Sequence, residues 1–174
     1  MEEKQSAQAA VGLLGRPLAI SQIALVVNDL EKTMEQYTNL LGWGPWNVYR
    51  HEPPRLHDTT VHGAQVDYTM LGAETHVGEM GFELLQPLDG PSIYREWLDE
   101  RGEGLHHIAV MLHSFEESTR LKETFAAAGS PVLMGGRIGE TIEFFYLDTE
   151  PSLKIIIESG SGHAIELTPD YVYP

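Results

Sequence analysis

Cysteine is absent from this chain. Its absence excludes a disulfide framework, a thiolate metal site and a cysteine nucleophile, and it suits a reducing cytoplasm. Positive charge is scarce as well: 11 Lys and Arg stand against 26 Asp and Glu, a net charge of −15. So few cations do not build the basic face that phosphate backbones need, which argues against nucleic acid as a partner. The acidic excess reads as solvated surface. No apolar run approaches the ~20 residues that span a bilayer. The first ten residues are polar and acidic, unlike a basic region followed by an apolar one. The expectation is a cytoplasmic protein with neither membrane nor nucleic acid as partner. What is present is a 42% hydrophobic fraction over 174 residues, enough for one sizeable core or two small fused modules.

The most informative feature is an internal repeat. Residues 20–33, ISQIALVVNDLEKT, are rewritten imperfectly as residues 105–118, LHHIAVMLHSFEES, so that Gln22 falls on His107 at an offset of 85. Two copies of one unit can pack about a pseudo-two-fold axis and converge on a shared cleft. In the first copy, residues 19–27 read as a buried strand, and Asn28 with Glu31 resembles a capping box. A helix carrying Leu30, Met34, Tyr37 and Leu41 follows, stopped by Gly42, Gly44 and Pro45. Strands are expected at residues 46–50, 65–71 and 79–86, with a polar loop at 51–63 containing His51, Arg55, His57 and His62. That loop reads as a substrate lid. The second copy repeats the order: a strand at 105–112, a helix capped by Ser114 and Glu117, then strands near 132–134, 141–147 and 153–158. A helix at 91–101, with Ile93 and Trp97 on one face, joins the copies.

Each copy has an acid near the end of its last strand, Glu83 and Glu158. Glu166 competes with Glu158 for this place, but lies too far from Phe144 and Phe145 for a hairpin. A carboxylate in an apolar strand costs free energy unless it is paired or metal-bound. Gln22 and His107 on the first strands, with Glu83 and Glu158 on the last, therefore suit a divalent ion such as Zn, Co, Ni, Mn or Mg. An octahedral ion would keep two positions for water or substrate. His106 points to the opposite face of a regular strand and reads as structural.

The repeat, Gly42-Trp43-Gly44-Pro45-Trp46 and above all Gly104-Leu105-His106-His107-Ile108-Ala109 resemble the vicinal oxygen chelate superfamily over roughly residues 19–160. This superfamily includes glyoxalase I, methylmalonyl-CoA epimerase, extradiol dioxygenases and fosfomycin or bleomycin resistance proteins. The resemblance implies an α+β fold of two tandem βαβββ modules forming a curved mixed sheet around a metal cleft. On that plan residues 1–18 are a flexible leader, 19–90 the first module, 91–103 a linker helix, 104–160 the second module and 161–174 a tail. It also implies metal ligation by Gln22, Glu83, His107 and Glu158, and a homodimer. Gln22 in place of the His found in many members argues against an Fe(II) dioxygenase. Val26 and Pro87 stand where glyoxalase I has the Arg and Asn of its glutathione site. The stretch from Leu85 to His107 resembles methylmalonyl-CoA epimerases, which carry an additional acid on the strand before Glu83. Asp67 is the nearest acid to that place, giving Glu158 and Asp67 as the catalytic pair. The function implied is a metal-dependent epimerase or isomerase moving a proton α to the carbonyl of a small molecule, such as an acyl-CoA thioester. The alternatives are a glyoxalase-like lyase with a non-glutathione substrate, and a metal-free protein that sequesters a flat ligand on Trp43, Trp46 or Tyr68.

Overall fold

The two copies of the repeat meet at their first strands. In the computed structural model, which describes residues 15–162 and 167–174, β1 (Gln22–Val26) pairs antiparallel with β7 (Gly104–Met111). Ile23 lies opposite Ile108, Gln22 opposite Ala109 and Ala24 opposite His107. With an offset of 85, exchanging the copies maps this set of pairs onto itself. A pseudo-two-fold axis therefore passes between Ile23 and Ile108. The symmetry continues outward. β6 (Met80–Pro87) runs parallel to β1 with Glu83 beside Ala24, and β10 (Ile156–Ser161) runs parallel to β7 with Glu158 beside Ala109. Next come β5 (Met70–Val77) and β9 (Ile142–Leu147), then β2 (Trp46–His51) and β8 (Val132–Ile138). The result is one mixed, curved sheet in which each half has the βαβββ plan expected from the repeat.

The helices cover the sheet with short apolar faces. α1 (Leu30–Leu41) begins at Asp29, one residue beyond the Asn28 cap expected, because the Asp29 carboxylate accepts from the Lys32 N–H at 3.0 Å. It buries Leu30 and Met34 against Trp46, Val48, Phe82 and Leu84. α3 (Phe115–Ala127) starts at Ser114, as expected, and buries Leu121 with Val110, Phe145 and Leu147. The linker helix α2 (Ile93–Arg101) puts Ile93 and Tyr94 into the core beneath both halves. A short α4 (Glu150–Leu153) precedes β10. Among the described residues no helix is long and apolar enough to cross a membrane.

Two stretches differ from expectation. The polar loop is a hairpin: β3 (Leu56–Val61) turns through His62 and Gly63 into β4 (Ala64–Gln65). Both turn residues have positive φ, 49° and 80°, which a two-residue type I′ turn requires. This hairpin crosses over to pair β3 with β8, while β11 (Tyr171–Tyr173) pairs with β2. The outer strand of each half is thus covered by a segment from elsewhere in the chain. The second difference follows from that crossing. The strand expected at 65–71 is split, because the chain leaves the hairpin after Gln65 and re-enters the sheet only at Met70. Thr69 N bonds Asp89 O at 2.8 Å in the link. Of the leader, Arg16 pairs with Glu117 at 3.2 Å and Leu18 packs beside α3. Residues 1–14, and Glu166 in the tail, lie outside the described residues.

Candidate functional site

The register that creates the pseudo-two-fold also gathers the acids. Residues opposite one another on neighbouring strands share a face, so Glu83 and His107 project on the same side as Ala24 between them. Glu158 shares that face through Ala109, two residues from His107 on β7. Ala24 and Ala109 have no exposed surface and leave room for the larger side chains. One ligand atom from each of Glu83, His107 and Glu158 lies within 4.8 Å of the others. His107 Nε2 is 3.0 Å from Glu158 Oε2 and 3.6 Å from Glu83 Oε2. Gln22 lines the same cavity.

The neighbouring His106 explains how His107 is held. Pairing passes from Ala24–His107 to Leu25–Leu105, so His106 is the extra residue of a β-bulge. Its ring packs 5.3 Å from Tyr94 and 5.1 Å from Trp97, and its Nδ1 lies 2.8 Å from His107 Nδ1. The bond between the two rings directs His107 Nε2 at the carboxylates. As the strand pattern suggests, His106 does not line the cavity.

Charge in the cleft is unbalanced. Burial alone would lower the pKa of His107, but the adjoining carboxylates of Glu158 and Glu83 outweigh it and hold the imidazole up at about 9. Burial pushes Glu83 up, Glu158 adds to this, and His107 opposes it. A third carboxylate joins them. Glu74 on β5 lies directly across from Glu83, and burial with the charges of Glu83 and Glu158 pushes it up to about 8. Glu158 Oε2 and His107 Nε2 approach as an ion pair yet lack any hydrogen bond. The convergence of Glu83, His107 and Glu158, with Glu74 adding to the negative charge and with His107 Nε2 and Glu158 Oε2 left without hydrogen bonds, fits a divalent cation, whose charge would offset the excess.

In the second half the place of Glu74 is taken by Tyr146, across β9 from Glu158. Its hydroxyl donates to Glu158 Oε1 at 3.2 Å and accepts from Tyr94 at 2.6 Å. The cavity is about 230 Å³, enough for the reacting end of a small molecule. His51 lines it, and burial, followed by the nearby Arg55 charge, lowers this imidazole to about 4 against the pull of Asp170.

Several expected residues lie elsewhere. Asp67 is exposed in the link between β4 and β5 and lines a separate surface depression beside Pro53 and His57. The acid that shares the cavity is Glu74. The sequence contained a signal for it, because a two-residue turn at Gly78–Glu79 makes Val77 face Met80 and Glu74 face Glu83. Of the expected lid, only His51 reaches the cavity; His57 bonds Gly139 O at 2.8 Å and His62 pairs with Glu96 at 2.9 Å. Trp43 and Trp46 pack with Tyr37 and Phe82, and Tyr68 is buried in the core, so none of the three lines the cavity.

Comparison with known proteins follows the same outline. The chain is 28% identical over 98 residues to the uncharacterized protein YqjC of Bacillus subtilis strain 168, covering 56% of this chain and spanning 60% of that relative's length. Its fold is similar to that of hypothetical protein BH1468 from Bacillus halodurans C-125, with a TM-score of 0.61, 18% identity and coverage of 90% and 100%. Methylmalonyl-CoA epimerase from Mycobacterium tuberculosis gives a TM-score of 0.52 at 18% identity, covering 82% and 86%. A family model for the glyoxalase/bleomycin resistance protein/dioxygenase superfamily matches residues 21–146, from the first strand of one half to the ninth strand in the other. The chain belongs to that superfamily, also known as the vicinal oxygen chelate superfamily.

Proposed function

We propose that this protein is a metal-dependent epimerase or isomerase that moves a proton α to a carbonyl, on a small substrate such as an acyl thioester. The observation that carries the reading is a third, half-buried carboxylate, Glu74, which shares one small cavity with Glu83 and Glu158, the two acids gathered around His107. Ion binding alone does not call for a carboxyl held up at about 8. Gln22, Glu83, His107 and Glu158 would hold the ion. When bound, a divalent cation there would polarise the substrate carbonyl and stabilise the charge that builds as the α-proton leaves. Glu158 and Glu74 come from opposite halves of the sheet and so border the substrate from two sides. One takes the α-proton as the C–H bond breaks, and the other, carrying a proton, delivers it to the opposite face as the new C–H bond forms. Glu74 is protonated near neutral pH and suits the donor role. Tyr146 keeps Glu158 oriented by donating to Oε1, which leaves Oε2 beside His107 Nε2 without a hydrogen bond. The solved methylmalonyl-CoA epimerases of this fold support the reaction class.

The test is solvent-deuterium incorporation into a panel of acyl-CoA thioesters and 2-oxo acids, with the protein loaded with each of Mn, Co, Ni, Zn and Mg. Exchange at the α-carbon of one substrate class is expected. If no member of the panel exchanges with any ion, the proton-transfer reading fails.

A further inference from the structure

The cavity that holds the acids has a second kind of wall. Residues two or four apart on a strand share a face. On β5, Met70 therefore faces the same way as Glu74, and on β6 Leu85 faces the same way as Glu83. In the other half, Ile142 and Phe144 share the face of Tyr146, and Ile138 lies opposite Ile142 across the β8–β9 pair. All five line the cavity, and Leu167 joins them from the C-terminal tail. The five belong to one continuous apolar cluster, against which Leu167 packs. Both halves of the chain thus bring aliphatic or aromatic side chains up to the carboxylates.

Nothing on these walls balances a second negative charge. Among the described residues, no Lys or Arg lines the cavity. Of the two imidazoles that line it, His76 is exposed, and His51 is buried and held down at about 4, so it is uncharged at neutral pH. The two charges of a divalent ion would be matched by Glu83 and Glu158. A substrate carboxylate reaching past the reacting carbonyl would exchange its water for apolar side chains and neighbouring acids, at a cost in free energy. An alkyl or aryl group gains from the same exchange, by about fourfold in affinity per buried methylene.

We propose that the part of the substrate beyond the reacting carbonyl is an uncharged, apolar group, seated on Met70, Leu85, Ile138, Ile142, Phe144 and Leu167. The substrate class narrows to carbonyl compounds with a short branched alkyl or aryl group, such as thioesters of branched monocarboxylic acids. A cavity of about 230 Å³ admits such a group and no long acyl chain. The inference deepens the proposed function and rests on it for where the carbonyl sits. It also separates this chain from a solved epimerase of similar fold that binds methylmalonyl-CoA, whose acyl group carries a free carboxylate.

The experiment is isothermal titration of two N-acetylcysteamine thioesters of the same outline, 4-methylpentanoyl and succinyl, in which an isopropyl group and a carboxylate exchange places. The acetyl thioester, which has neither, is the reference. Metal-free and Mn-loaded protein are titrated separately. Wild-type protein should bind the 4-methylpentanoyl thioester at least roughly tenfold more tightly than either of the others. The gain over acetyl reports the apolar wall, and the gain over succinyl reports the exclusion of charge. Leu167 is only partly buried and comes from the tail, so it is the wall residue least tied into the core. Leu167→Lys places a cation on the wall and should cut the preference over succinyl by roughly tenfold, while Leu167→Ser should lose part of the gain over acetyl. Succinyl bound as tightly as 4-methylpentanoyl in the wild type, no gain over acetyl, or no binding of any of the three overturns the proposal. So does an unchanged preference in Leu167→Lys or, if that variant does not fold, an unchanged gain in Leu167→Ser. If the Leu167-dependent preference holds but no α-deuterium enters the bound 4-methylpentanoyl thioester, the proposed reaction fails and the apolar subsite stands. Deuterium entering the succinyl thioester alone would do the reverse.

Discussion

Glu74 and Asp67 make opposite predictions although both are acids near the same strand. Glu74 faces Glu83 inside the cavity and Asp67 is exposed outside it. Glu74→Gln keeps the size and a hydrogen-bonding group but removes the transferable proton. It should lower α-proton exchange by roughly 10²- to 10⁴-fold, with bound metal per chain unchanged. Asp67→Asn should exchange at the wild-type rate. Equal rates in wild type and Glu74→Gln would remove Glu74 from the chemistry. His51 supplies a second residue-scale prediction. Its folded pKa of about 4 lies below the ordinary 6.5, so the unfolded chain takes up the proton first as pH falls. The stability that His51 contributes is full above pH 6.5 and is lost as pH drops toward 4. The loss reaches about 3 kcal/mol for a shift of this size. Urea unfolding at a series of pH values, with His51→Gln as reference, should show the wild type losing that much more between pH 6.5 and 4. Parallel curves for the two proteins would contradict the burial argument.

At the scale of elements, what was legible in the sequence depended on whether the signal was local. The first strands and α1 and α3 carry their own apolar periodicity and caps, so their places follow from the sequence. Glu83, His107 and Glu158 were legible because a polar group in an apolar strand is costly and needs a reason. Glu74 was hidden by its neighbours: Gly72-Ala73-Glu74-Thr75-His76 has no apolar run, and only the hairpin register gives the acid its meaning. β3 was hidden for another cause. Asp58 has φ of 52° and the pairing with β8 shifts between His57 and Thr60, so the alternation of side chains is broken in mid-strand. Its partner lies in the other half of the chain, which no local pattern reports. The crossing that follows is tight at Gly90, where φ is +79° and an added Cβ would collide with the Asp67 carbonyl oxygen and the Tyr68 backbone. Gly90→Ala should therefore destabilise the protein by at least about 2 kcal/mol, combining left-handed strain with a backbone clash. Gly63→Ala, also at positive φ but in open space, should lose less. Thermal unfolding of the two variants side by side checks the order; equal losses would mean that the crossing tolerates displacement.

For the whole molecule, the seam between the halves is one antiparallel ladder, β1 on β7, with the candidate metal centre directly above it. Glu83 comes from the first half, and His107 and Glu158 come from the second. Without an ion, Glu83 and Glu158 repel each other across that seam, which is part of why Glu83 is held above the usual carboxylate range. An ion held there would reverse the sign by binding only the folded arrangement. At a concentration a hundredfold above its dissociation constant it adds about 2.7 kcal/mol. In a domain of this size that raises the midpoint of thermal unfolding by roughly 5–10 °C. Glu83→Gln separates the two effects. Removing the charge relieves repulsion, so the metal-free variant should melt no lower than the metal-free wild type. The same change weakens a ligand, so the rise on adding Mn, Co, Ni, Zn or Mg should shrink or vanish. Two changes of opposite sign from one substitution are what a built cation site requires and a solvated acidic patch does not. A midpoint that none of the five ions raises in the wild type would mean that these three side chains meet at the seam for a reason other than metal.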